Sequence, residues 1–299
     1  MSIRPQAPRP EPPPLPTVFF AQDHPPWFVA ERVRSNQWER VTRGAYLGRD
    51  ATASQQALAR IVAVQRRTAG VHWFSHESAA LLWGLPLREP PETSHLYQLT
   101  RPSSKADASV FRHVKRVEPE DQAIVNDISV TGLCLTAADC LRTFPPLGAL
   151  VIADGALRAG ADPSRIQTLL ATGRGRVRAR AVTCLADAGA ESSARFHLLA
   201  AGLPVPQTQV QVDTDHGVYW ADLGYPQWRV LIEYDGQEKY SNPRAFLREK
   251  ERHEAIEAQG WRIIRLTRKD LRDPARLVRR VTQVLPPGLP LFPRPYLTH

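Results

Sequence analysis

The sequence predicts an α/β chain of the α+β kind, and three observations carry that expectation. Stretches with apolar residues at helical spacing, such as 54–68 and 147–159, are interspersed with short apolar or alternating runs at 94–100, 110–116, 124–130 and 261–267. Turn and stop signals separate them, among them Gly202-Leu203-Pro204, Asp235-Gly236 and Gly260. Residues 191–285 read in order as helix, strand, strand, strand, helix, strand, helix.

Bulk properties bound the function. With 299 residues, the chain is long enough for two or three domains that each bury a core. Its 42% hydrophobic and 23% charged content are ordinary for a globular protein. No apolar run approaches a membrane span, and the start MSIRPQAPRPEPPPLP lacks a signal-peptide core. Cys134, Cys140 and Cys184 are odd in number and show no C-x-x-C spacing, which points to buried thiols in a reducing cytoplasm. A net charge of +9 and a pI near 9.9 favour a polyanionic partner, which in a cytoplasm usually means nucleic acid.

The proline-rich residues 1–17 are expected to form an extended, poorly ordered arm. WFVAERVRSNQWERVTRGAYL (27–47) predicts a short helix, a turn near Ser35-Asn36 and a basic strand pair around Arg40 to Tyr46. A helix followed by W-x-R-[VL]-x-R-G-x-[YF] resembles the recognition helix and wing of AbiEi-type type IV antitoxins. That resemblance implies a winged-helix segment contacting DNA through Arg32, Arg34, Arg40 and Arg43. The segment before Trp27 is shorter and richer in proline than the family pattern.

Leu58, Ile61, Val62 and Val64 form the apolar side of the 54–68 helix, and Ser75 is placed to cap a second helix ending at Trp83-Gly84. His72 and His76 have i,i+4 spacing, but no neighbour in sequence completes a metal-ligand set. They read as ordinary helix-entry histidines. Helices follow from Thr136 through 147–159 and 163–171. This middle region shows no catalytic constellation and reads as scaffold. GRGRVRAR (173–180) then concentrates Arg174, Arg176, Arg178 and Arg180, a strip able to contact phosphates.

The stretch ADLGYPQWRVLIEYDGQEKY (221–240) carries the densest chemistry. It predicts two strands joined at Tyr225-Pro226-Gln227, with Glu233 and Asp235 on one face and Ile232 and Tyr234 on the other. Asp222, at the end of the first strand, is positioned to lie beside Glu233. Carboxylates converging at a sheet edge repel unless a cation intervenes, and hard oxygen donors suit Mg2+. The bland alternative is strand-end and turn acids.

Four ordered motifs lie around this stretch: Glu191 in a helix, Asp222 to Pro226, Glu233 to Gly236, and Gly260 to Thr267. Together they resemble a Vsr-like (very-short-patch-repair-type) PD-(D/E)XK endonuclease domain, over about a third of the chain. The resemblance implies a restriction-endonuclease-like αβββαβα core in which Asp222 and Glu233 hold Mg2+ (or Mn2+), helped by the main-chain carbonyl of Tyr234. Glu191 would orient the site, through a metal-bound water or by gripping a basic residue. Asp235 stands where the wider superfamily has lysine, so the catalytic cation would come from Lys239, from Lys250 or Arg252, or from Arg265.

The expected organisation is an arm (1–17), a winged-helix and helical region (18–100), a mixed α/β scaffold (101–172), a nuclease-like domain (173–286) and a proline-rich tail (287–299). The expected function is Mg2+-dependent DNA endonuclease, with a non-enzymatic, antitoxin-like DNA-binding regulator as the alternative. DNA is the expected partner, with a toxin–antitoxin or repair protein beside it.

Overall fold

The computed structural model describes residues 9–101, 107, 109–170, 189–234, 243–292, 294 and 297. The fold is mixed α/β, with three sheets and helices interspersed along the chain. The chain divides into two compact units: Arg9–Phe144 with Ala159–Ala179, and Pro145–Arg158 with Arg180–His299. The helix spanning most of 146–159 thus groups with the C-terminal residues.

In the first unit, residues 9–17 form no helix or strand and are packed: Leu15 lies against the core and Pro13 O accepts Asn126 Nδ2 at 2.9 Å. Strand β1 (Phe19–Phe20), helix α1 (Pro26–Arg34) and the hairpin β2 (Trp38–Thr42) and β3 (Ala45–Gly48) follow, with sheet order β1-β3-β2. Trp38 is buried and stacks on Phe19 with centroids 4.4 Å apart, which pins the hairpin to the start of the chain. Helix α2 (Ala53–Arg67) begins at a capping box in which Thr52 and Gln55 satisfy each other's backbone N–H.

A five-stranded sheet in the order β6-β5-β4-β8-β7 forms the rest of this unit's frame. Its strands are β4 (His72–Phe74), β5 (Ser94–Gln98), β6 (Val110–Val114), β7 (Gln122–Val125) and β8 (Ile128–Thr131). α2 and α3 (His76–Leu82) bury Leu58, Ile61, Val64 and Leu82 against Phe74, Leu96 and Val130. α4 (Leu133–Thr143) and α6 (Pro163–Leu169) complete the unit. The single strand expected over 124–130 is instead the tip of the β7–β8 hairpin. Asn126 and Asp127 have φ of 49° and 60°, the left-handed pair that a two-residue turn requires and that these side chains tolerate.

The second unit follows the predicted order: α7 (Gly189–Ala200), β9 (Gln207–Thr214), β10 (Gly217–Tyr225), β11 (Val230–Tyr234), α8 (Pro243–Ala258), β12 (Arg262–Leu266), then α9 (Arg268–Arg272) and α10 (Pro274–Thr282). Gly260 ends α8 at φ 78°, and Asp273 caps α10 by accepting Arg276 N at 3.0 Å. The sheet order is β12-β11-β10-β9, with β11 parallel to β12 and the other pairs antiparallel. Ala194, Leu198, Leu277 and Val281 from the helices cover one face, and Ile256 of α8 packs on the other. Cover on both faces explains why Val230, Leu231 and Ile232 are all buried in succession rather than alternately. Helix α5 (Pro146–Ala159) is apolar nearly all round and carries Asp154, whose Oδ2 accepts Arg195 Nη2 at 2.6 Å, both residues buried. The C-terminal tail is anchored by Arg294, which donates to Leu199 O and Leu203 O at 2.9 and 3.0 Å.

Candidate functional site

The two central strands of the second unit carry the acids, so the site lies inside the sheet and not at its edge as the sequence suggested. The β9–β10 ladder pairs Ala221 with Val210 and Leu223 with Thr208, and skips the rung between them, where Asp222 would face Gln209. Gln209 has φ 51°, a left-handed conformation that costs a non-glycine residue about 1 kcal/mol or more. Side chains change face across this rung. Tyr219 and Ala221 pack with Val210, Val212 and Leu231, whereas Leu223 and Tyr225 pack with Val230 and Ile232.

The β10–β11 ladder also ends here, at Leu223–Ile232. Beyond it the Asp222 carboxylate replaces the missing backbone partner: Tyr234 N–H donates to Asp222 Oδ2 at 2.8 Å. Asp222 thereby lies within one residue of Glu233 on the next strand. Gly224 keeps the strands close below the break, since a Cβ there would lie 2.7 Å from Val230 O.

Glu233 is half-buried, and both of its oxygens are taken by Arg252 of α8, Nη1 to Oε1 at 2.8 Å and Nη2 to Oε2 at 2.6 Å. Arg252 also lies over the Tyr219 ring, 6.0 Å from its centroid. On the opposite side, Arg265 pairs in parallel register with Glu233. One level of the sheet therefore reads Gln209, Asp222, Glu233, Arg265 across its four strands. Glu191 of α7 is buried and joins the Gln209 end, accepting from Gln209 Nε2 at 3.3 Å. Lys250 is exposed and pairs with Glu254 at 3.6 Å. Asp235, Lys239, Arg174, Arg176, Arg178 and Arg180 lie outside the described residues.

The arginines singled out near the N-terminus sit on α1 and the β2–β3 hairpin of the first unit. Arg34, Arg40 and Arg43 are exposed. Arg32 lies 4.8 Å over the Phe28 ring and donates to Gln37 Oε1, and Arg40 Nε donates to Thr42 O at 3.3 Å. The carbonyl of Arg43 at the hairpin tip accepts from Arg67 at 3.2 Å.

The sequence reading did not bring together a histidine cluster: His76 opens α3, as a helix-entry histidine would, but two strand histidines lie beside it. His76, His95 and His113 bring ligand nitrogens within 4.8 Å of one another, the group of three metal-competent side chains found among the described residues. His72 belongs to β4 and is engaged elsewhere, with Gln65 Oε1 at 2.8 Å and Gly70 O at 2.6 Å. His95 and His113 come together because β5 and β6 pair in parallel, with His95 opposite Phe111 and Tyr97 opposite His113. Burial and the neighbouring histidines push the His76 imidazole down to about 2 and His95 down to about 4, and burial and Lys115 lower His113. The i,i+2 pattern His95-x-Tyr97 beside Phe111-x-His113 is the only local signal, and strand pairing is needed to use it.

Among the described residues no helix is long and apolar enough to cross a membrane. Cys134 and Cys140 are free thiols, Cys140 buried and Cys134 half-buried; Cys184 lies outside the described residues. No protein-family model matches the chain. Two relatives from two strains of Mycobacterium tuberculosis, each described as an uncharacterized protein, are 33% identical over 160 residues, 50% of this chain and 59% of each relative. The chain thus spans about three fifths of the length of the curated relatives it matches.

Proposed function

We propose that the C-terminal unit is a nuclease-like core that acts on DNA by Mg2+- or Mn2+-dependent hydrolysis of phosphodiester bonds. The observation that supports this most is the break in the central ladders, which sets Asp222 beside Glu233 on neighbouring strands within the predicted αβββαβα order. Asp222 and Glu233 offer hard oxygen donors, the chemistry that suits such an ion. Glu233 is already balanced by a cation, Arg252, whose grip must loosen for an ion to bind. When bound, the ion would act as a Lewis acid on the scissile phosphate. Around it Arg252 and Arg265 would contact phosphate oxygens, and Glu191 would hold Gln209 and with it the skipped rung. The basic run 173–180 and the exposed α1 and hairpin arginines would add phosphate contacts. The free thiols and the absence of a membrane-spanning helix among the described residues fit a cytoplasmic setting with DNA, and a toxin–antitoxin or repair protein, as partners.

A specific observation favours a second reading, a DNA-binding regulator that does not cut. Both oxygens of Glu233 are neutralised within the protein, and Glu191, Asp222 and Glu233 do not form a three-ligand cluster. Plasmid nicking in Mg2+ and Mn2+ separates the two. The nuclease reading expects nicking that Glu233→Gln reduces by at least about two orders of magnitude with DNA affinity held or raised. The regulator reading expects binding without nicking in either metal, and loss of binding on substitution of Arg32 or Arg40.

A further inference from the structure

We propose that His76, His95 and His113 form a second metal site, built in the first unit and separate from the acids of the C-terminal sheet, that takes a borderline divalent transition ion such as Zn2+. Imidazole nitrogens favour Zn2+, Co2+, Ni2+ and Cu2+ over Mg2+, so the site differs from the acidic one in its ligand chemistry as well as its place.

The contacts of the rings show which nitrogens are available to an ion. His95 Nδ1 and His113 Nε2 approach to 3.3 Å. Two imidazole nitrogens bound tetrahedrally at about 2.1 Å from one ion lie about 3.4 Å apart, so this pair already has the required spacing. His76 Nδ1 is engaged with Ser75 Oγ at 2.9 Å, which leaves Nε2 for the ion. The nitrogens of the set lie within 4.8 Å of one another, and because the His76 ring stacks on His113 with centroids 4.4 Å apart and planes 15° from parallel, ligation requires the His76 ring to turn as well as shift.

The outer nitrogens are supported in the manner of metal-bound histidines, which usually donate their second ring N–H. Ser75 holds His76, and Thr93 Oγ1 lies 3.5 Å from His95 Nε2. His76 opens α3 with φ 52°, a left-handed backbone that is costly for a non-glycine residue. Ser75, at the N-cap, makes no side-chain bond to the helix backbone, so its Oγ is placed to accept the Nδ1–H of a His76 ring that ligates through Nε2.

The surroundings leave the set open on one side. His76 is buried while His95 and His113 are half-buried, so one side of the set faces solvent and leaves a fourth position for water. Two cations stand nearby and oppose added positive charge: Arg142, which pairs with Asp139 at 2.9 Å, and Lys115, which lies over the Tyr97 ring, 4.9 Å from its centroid. Phe144 stands edge-on to His76 and His95, with centroids 5.9 and 5.8 Å away, and supplies an apolar wall.

The test uses the full chain stripped with a chelator and titrated with Zn2+ by calorimetry and with Co2+ by visible absorption. One equivalent of nitrogen-ligated Co2+ is expected, with Zn2+ raising the melting temperature. His95→Ala and His113→Ala should each weaken uptake by tenfold or more and abolish the melting shift, while remaining folded by circular dichroism because both side chains are half-exposed. His72→Ala should bind as the wild type does, which ties uptake to the three clustered histidines. Absence of uptake by the wild type, a thiolate-to-Co2+ band in place of nitrogen ligation, or undiminished uptake by His95→Ala and His113→Ala would each overturn the proposal.

Discussion

Arg252 holds both carboxylate oxygens of Glu233, at 2.8 and 2.6 Å, and does so from the helix that lies across the acid-bearing strands. An ion that uses Glu233 competes with this pair. Both side chains are mostly buried, at 20% and 12% exposure, so the pair contributes more than a surface salt bridge. In Arg252→Gln the concentration of Mg2+ giving half-maximal nicking should fall by about three- to tenfold, equivalent to about 1 kcal/mol. The maximal rate should fall as well, because a phosphate contact has gone. An unchanged Mg2+ requirement would show that Arg252 does not compete for Glu233.

Phosphate contacts make a separate prediction from charge alone. Affinity for duplex DNA should fall steeply with salt, since each neutralised phosphate releases counterion. Replacing Arg174, Arg176, Arg178 and Arg180 with alanine should flatten the slope of log K against log salt by up to about 3–4 if all four residues touch phosphate. An unchanged slope would assign the run to a solvated linker.

Asp154 and Arg195 make an ion pair at 2.6 Å with side chains 2% and 4% exposed. Removing one partner strands a buried charge, so Asp154→Ala should cost about 3–5 kcal/mol in urea unfolding. The double replacement Asp154→Leu with Arg195→Met should recover most of that loss, because two apolar groups need no desolvated partner. A double variant no more stable than Asp154→Ala alone would show that the pair sets the packing of α5 on α7 rather than merely satisfying itself.

Local periodicity made the second unit legible. The apolar run at 230–234, the Gly260 stop and the Asp273-Pro274 start each act within a few residues, and the elements appear where those signals place them. The adjacency of Asp222 and Glu233 followed from the strand–turn–strand reading of 221–235, but the skipped rung did not, since nothing in the sequence marks Gln209 for a left-handed backbone. The long-range pairs were opaque for a physical reason. Asp154 and Arg195 are 41 residues apart, and His113 reaches His95 only through a parallel strand pairing that pattern alone does not specify. The Asn126-Asp127 turn was readable, because both residues tolerate positive φ, and was overlooked inside an apolar run.

Thr267-Arg268-Lys269-Asp270 is also a readable signal, the spacing of a capping box, and it leads to a pH prediction. Asp270 is fully buried and receives Thr267 N–H and Oγ1–H at 2.8 and 2.9 Å, Arg276 Nε at 2.9 Å and Arg280 Nη1 at 2.6 Å. Burial alone would raise its carboxyl, but the Thr267 and Arg280 bonds outweigh it and hold the group down to about 2. An unfolded aspartate titrates near 3.9, so the folded value is the lower one. The stabilisation is therefore present above pH about 4 and is lost as pH falls through about 2. Asp270→Asn keeps the shape and removes the charge. It should lower stability at pH 7 by about 2 kcal/mol, a figure reduced from a fully buried charge because Arg276 and Arg280 are themselves 52% and 35% exposed. The gap between wild type and Asp270→Asn should hold steady from pH 7 to about 5 and close on acidification from about 4 to 2, followed by urea midpoint at each pH. A gap that stays constant through pH 3 would mean that the hydrogen bonds of the cap, and not the charge shared with Arg276 and Arg280, hold α9 and α10 against the sheet.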